Sequence, residues 1–89
     1  MVGDSTYVLR DDDFAGRGWP AGTVLHVEPA SRAGRGDLVL VSEGGVIRVG
    51  CFGVDRGRPA LLTDHGATWL SERARVVAVA TVVQAPLAV

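Results

Sequence analysis

Residues 23–52 read TVLHVEPASRAGRGDLVLVSEGGVIRVGCF, and this stretch decides the fold. TVLHV at 23–27 alternates well enough for a half-buried strand, which Glu28-Pro29 ends. DLVLVS at 37–42 and VIRVGCF at 46–52 are apolar runs on either side of Glu43-Gly44-Gly45. Apolar runs separated by a few glycine-bearing positions are a strong hairpin signal. Three strands in this stretch supply most of the core that so small a chain can have. The polar, glycine-containing segment 30–36 joins the first strand to the hairpin.

The flanks are read from that centre outward. TYVLR at 6–10 suits a first strand, with its β-branched and aromatic residues. Asp11-Asp12-Asp13 ends it, because adjacent carboxylates repel in a regular strand and favour a loop where Asp bonds its own backbone. A metal site would need spaced ligands and a glycine turn, and this run has neither. FAGRGWPAG at 14–22 turns tightly, and Phe14 and Trp19 are expected to tuck into the core from it. His26 lies in the strand at 23–27 with no His or Cys nearby, so a structural or exposed histidine is expected. Residues 53–59 form a turn region, ALLT at 60–63 a short strand, and Asp64-His65-Gly66 another turn. His65 and Asp64 are neighbours on that turn and are expected to point apart. Residues 68–73 are the one piece compatible with a turn or two of helix, too short to serve as a recognition helix. VVAVATVV at 76–83 is almost continuously apolar, so this strand is buried on both faces or lies at an edge that a second chain covers. Residues 84–89 read as a tail or an extension of the same contact.

Composition narrows the class. The chain has 89 residues, 47% hydrophobic and 21% charged, which is a globular balance read as a single domain over 1–89. A chain of this size buries only about 60–65% of its unfolded surface, so a partner or second copy adds stability. No apolar run approaches the roughly 20 residues of a membrane span, and there is no basic-then-apolar leader; no membrane partner and a cytoplasmic location are expected. Cys51 is the only cysteine, which excludes an internal disulfide and a cysteine-rich zinc site. No metal or other cofactor is expected. The formal charge is −1 and the nine arginines are scattered, so no basic stripe is present and nucleic acid is not an expected direct ligand. The absence of lysine and asparagine, beside abundant Gly, Ala, Val and Arg, suggests a GC-rich bacterial or phage genome.

From Asp13 to about His65 the spacing resembles the peptidase domain of LexA-type repressors and UmuD-type proteins and, more distantly, of signal peptidases. Gly22-Thr23 stands where that family has Gly-Asp, and Gly36-Asp37-Leu38-Val39 stands where its hairpin opens. Leu61-Leu62-Thr63-Asp64-His65 is similar to its Leu-Leu-Pro-Glu-Asn segment. The resemblance implies a mainly β fold of LexA/signal-peptidase type, about six or seven strands in twisted antiparallel sheets with little helix. It also implies a peptide-binding groove at Asp13, Phe14, Arg48, Gly50 and Phe52. Relatives dimerise through the carboxy-terminal strand, which here places Val77, Val79, Thr81 and Val83 at a homodimer contact.

The departures from the family pattern bear on chemistry. In that register the nucleophile position holds Asp13, followed by Phe14 in place of methionine, and the general-base lysine position holds Gly50. The family's reaction needs a serine hydroxyl whose proton passes to a desolvated, neutral lysine. No lysine occurs anywhere in the chain, so no shift of register restores the pair. Gly3-Asp4-Ser5 resembles a signal-peptidase nucleophile motif, yet Ser5 lies about twice the family distance from Gly22. Cys51 reads as a buried strand cysteine and not as a replacement nucleophile. The segment that carries the cleavage site in self-cleaving members, and the DNA-binding domain of the repressors, are expected to have no counterpart. Arg48 and Gly50 share a strand face, so an Arg48 to Asp13 ion pair is expected where the catalytic pair would stand.

These features point to a catalytically inactive protein-binding or dimerisation module, whose partner is a protein or an extended peptide added as a strand. The resemblance suggests regulation of a phage, mobile-element or defence system. Two other classes remain open: a divergent hydrolase using Asp13 or Cys51, and a structural subunit that completes a larger assembly.

Overall fold

The computed structural model describes residues 5–84. Seven strands form a single antiparallel sheet: β1 (Ser5–Val8), β2 (Val24–Pro29), β3 (Leu38–Glu43), β4 (Val46–Asp55), β5 (Arg58–Thr63), β6 (Gly66–Trp69) and β7 (Arg75–Gln84). Their order across the sheet is β1-β2-β7-β3-β4-β5-β6. The only helix among the described residues is one 3-10 turn, Ala15–Arg17. Strand pairing thus carries the fold, as the apolar runs predict.

The expected hairpin of β3 and β4 forms, with its register running from Leu38 opposite Cys51 to Glu43 opposite Val46. Gly44 and Gly45 both have positive φ, at 61° and 83°, the conformation that a two-residue turn needs to match strand twist. Four successive residues of β3, Leu38 to Val41, are buried. A strand can bury both faces only if material covers the sheet on both sides. Leu38, Leu40 and Cys51 pack with Leu25, Val27 and Phe14 on one face, while Val39, Val41 and Leu61 make a second cluster on the other. Phe14, delivered by the loop at 11–19, caps the first cluster at 2% exposure, with the Trp19 ring 6.3 Å from its own. Ala33, Leu70 and Ala74, from two loops, cover the second. The two aromatics therefore sit in the core as expected.

Two expectations change. Residues 68–73 are not helical: Gly66–Trp69 forms the edge strand β6 against β5, and a turn comes after it. Edge pairing fixes this piece, with Leu61 opposite Thr68 and Leu62 opposite Ala67. The apolar segment 76–83 is neither buried on both faces, since Val77 and Val82 are exposed, nor an outer strand of the sheet. β7 lies between β2 and β3, paired with β3 through Arg75–Val79 and with β2 through Ala78–Gln84. Val77 is an extra residue opposite Leu40/Val41, and Thr81 is an extra residue opposite His26/Val27. Each such bulge inverts the facing of the next residues along the strand and adds twist. Val79 consequently packs with the second cluster and Val83 with the first. Val77, Val79, Thr81 and Val83 therefore do not share one face.

Candidate functional site

The incomplete pairing of β4 creates the site. Its first half, 46–50, bonds β3 alone, while its second half, 51–55, turns to pair with β5. Phe52 donates its N–H to Asp37 O at 2.7 Å, and antiparallel ladders alternate inward and outward bonding. Counting back, Gly50, Arg48 and Val46 bond toward β3, and Ile47 and Val49 aim their N–H and C=O the other way. No described strand meets them there. β1 is likewise an edge, and since Leu9 donates to Thr23 O at 2.9 Å, Thr6 and Val8 direct their backbone groups away from β2.

An open cleft of about 460 Å3 lies between these two edges. Its apolar lining comes from Leu9, Phe14, Ile47, Val49 and Leu61, and its polar lining includes Arg10, Asp11, Asp13, Arg48 and His65. One wall is a clasp between the loop at 11–19 and the β5–β6 turn. Asp64 donates its N–H to Asp13 O at 2.9 Å, and its carboxylate accepts the Gly16 N–H at 2.6 Å. His65 Nε2 meets Asp13 Oδ1 at 3.0 Å. The three aspartates divide the work of the loop. Asp11 accepts the Asp13 N–H, Asp12 accepts the Ala21 N–H, and Asp13 reaches His65. Asp64 and His65 do point to different partners, as turn neighbours are expected to. His26 is a surface contact, Nε2 to Gln84 Oε1 at 3.0 Å.

The structure brings Asp13, Phe14 and Arg48 to the cleft, but not Gly50 or Phe52. Phe52 packs in the second cluster and lines a smaller cavity of about 260 Å3 with Val41, Leu70 and Val76. Gly50 is buried against β5, and a Cβ built on it would stand 2.7 Å from Leu61 Cβ. The space beside Gly50 is filled by Leu61 packing. The Arg48 to Asp13 ion pair does not form. Arg48 Nε lies 3.1 Å from Oε1 of Glu43, its diagonal neighbour across the hairpin, while Asp13 is taken by His65.

The Glu43 carboxyl is held below its ordinary value of 4.5, chiefly by hydrogen bonding from Ser71 and further by the Arg48 charge. Ser71 donates its backbone N–H to Glu43 Oε2 at 2.9 Å, so this carboxylate anchors the β6–β7 turn to the hairpin. Cys51 is buried in the first cluster at 3% exposure, out of contact with solvent nucleophile chemistry. The functional residues that sequence reasoning missed are His65 as the partner of Asp13, and Ile47 and Val49 as carriers of unpaired backbone groups. The open half-edge had one signal: Gly50 breaks the apolar run midway along β4, where pairing changes from β3 to β5.

Among the described residues no three His, Cys, Asp or Glu side chains gather as a metal site requires. Nor does any described helix have the length and apolarity to cross a membrane. No family model matches the chain, and no curated protein matches it.

Proposed function

We propose that the chain is a LexA-like, signal-peptidase-like domain without peptidase activity that works by binding protein, its cleft receiving an extended segment of a partner. The observation that carries this reading is the cleft, an apolar floor bordered by an unpaired strand edge. Its acid and its imidazole, Asp13 and His65, hold each other and clamp two loops together. Leu61 occupies the space at Gly50 that a general-base lysine would need. The resemblance suggests that such a module regulates a phage, mobile-element or defence system by joining or competing with an active relative.

The same reading includes a homodimer, and β7 supports a specific form of it. Beyond Val79 the strand pairs with β2 only, which leaves one edge of 80–84 without a described neighbour. Val82 is 56% exposed there.

The test is incubation of the purified chain with a diverse peptide library, read by mass spectrometry for cleavage and by equilibrium binding for retention. Retention of extended peptides without cleavage supports the proposal. Cleavage that is lost in an Asp13→Ala variant establishes the divergent hydrolase in its place.

A further inference from the structure

We infer that the cavity of the second cluster is a binding site for a small organic anion, a monocarboxylate with a compact apolar body whose carboxylate is held by Arg75. The inference goes beyond the protein-binding reading and does not depend on it, since no residue lines both this cavity and the cleft. Volume sets the size class. A space of about 260 Å3 holds roughly nine non-hydrogen atoms, when each is given about the 30 Å3 that a water molecule occupies in the liquid. That is the size of a free small molecule, too little for a stretch of peptide.

The lining sets the chemistry. Its floor is hydrocarbon, because Val41, Phe52, Leu70 and Val76 belong to the second cluster or pack on it. Such a floor takes up an apolar body and offers nothing to a fully hydrated ion. The rim is polar, with Ser31 and Ser71 from the two loops that meet there. Arg75 is the only ionisable residue of the lining. Its Nη1 donates to Glu72 O at 2.9 Å and to Ala74 O at 3.1 Å, so backbone carbonyls hold the guanidinium without neutralising it. No described carboxylate forms an ion pair with it. Nε and Nη2 are left, and their planar fork matches the two oxygens of a carboxylate. The surroundings favour the same sign of ligand. Segments 30–36 and 70–76 carry Arg32, Arg35, Arg73 and Arg75 against one carboxylate, Glu72. Glu43, bonded to the same turn through Ser71, is already matched by Arg48. A chain of net charge −1 thus has an excess of cations on the two loops that border this cavity.

The probe is benzoate, titrated into the isotopically labelled full chain and read by backbone amide NMR. Saturable shifts are expected at Ser31, Phe52, Ala74 and Val76, with Val49 and His65 of the cleft unmoved. Benzamide keeps the shape and loses the charge, whereas acetate keeps the charge and loses the body. Each is expected to bind about 10-fold or more weakly than benzoate. Arg75→Gln is expected to weaken benzoate about 10-fold or more and to leave benzamide as it was. The Arg75 side chain is exposed, so the unfolding midpoint is expected to stay in place. Where the variant loosens the turn instead, benzoate against benzamide in the parent chain still decides. Equal affinity for benzoate and acetate means an adventitious ion only and overturns the site. Equal affinity for benzoate and benzamide, an Arg75→Gln chain that binds benzoate as the parent does, shifts confined to the cleft, or no saturation overturns it as well. None of these outcomes bears on the inactive-module reading, which peptide retention and cleavage test separately.

Discussion

His65 Nε2 stands 3.0 Å from Asp13 Oδ1, joining residues that are 52 positions apart and closing one wall of the cleft. Its side chains are largely solvated, 75% and 40% exposed, so screening leaves it a small share of the stability. The neighbouring Asp64 contact is different in kind. Its carboxylate satisfies a backbone N–H of the 3-10 turn, and an Ala there leaves that donor to water. We expect His65→Ala to cost less than about 1 kcal/mol and Asp64→Ala about 1–2 kcal/mol. Urea unfolding of the two variants measures the difference, and equal costs would mean that the His65–Asp13 contact fastens the wall as firmly as the Asp64 contact does.

Gly50 gives a sharper expectation about packing. Adding one methyl group at this buried position forces Leu61 or the β4–β5 ladder to move, because the built Cβ lies 2.7 Å from Leu61 Cβ. Gly50→Ala is expected to destabilise by about 1–3 kcal/mol, where a strand glycine in open space would gain from the same change. Gly50→Lys is expected to cost more, and an Asp13→Ser/Gly50→Lys double variant to show no peptide cleavage. Thermal unfolding and a peptidase assay check both statements, and a stable, active double variant contradicts them.

Glu43 sets a pH dependence whose sign is fixed by its lowered pKa. The folded carboxyl titrates below 4.5 and the unfolded one near it, so the unfolded chain takes up the proton first as pH falls. The contribution is whole above the unfolded value and is lost as pH falls through the folded one. Stability between about pH 5 and pH 3 should therefore fall less steeply in Glu43→Gln than in the parent chain. Urea midpoints across that range test this, and identical slopes would show that the Ser71 and Arg48 contacts do not stabilise the carboxylate.

Much of this architecture is legible before any coordinates are seen, and the limits have physical causes. The β3–β4 hairpin is plain because Gly44-Gly45 interrupts two apolar runs at the spacing a tight turn requires. Phe14 and Trp19 stand out because three glycines and a proline surround the only large apolar groups in their segment. β6 is obscure because Gly66–Trp69 is short, exposed at every position and held by its neighbour, so its own residues carry no period. The bulges in β7 are hidden for the opposite reason. In an unbroken apolar run every phase looks alike, and only the partners β2 and β3 decide that Val77 and Thr81 are extra. The partners of Asp13 and Arg48 depend on where distant turns arrive, which local spacing does not encode.

The free half of β7 carries an expectation of its own. Native edges are usually guarded by charge, proline or a twist that prevents pairing, whereas residues 76–84 contain no charged residue and Val82 is 56% exposed. Thr81 is a bulge residue, and its hydroxyl donates to His26 O at 3.2 Å, so the bulge is directed toward β2 and does not shield the other side. An antiparallel pair of identical strands is self-complementary about a two-fold axis, so a second copy can use the same few residues on both sides. Light scattering after size exclusion is expected to give twice the chain mass at high concentration for the parent protein. Val82→Lys, which places like charges close together across such an axis, is expected to give the chain mass alone with an unchanged unfolding midpoint. The substituted residue is surface-exposed, so loss of the dimer with retained stability separates pairing from folding. A dimer that survives Val82→Lys must be built on another edge, of which β6 is the first to examine.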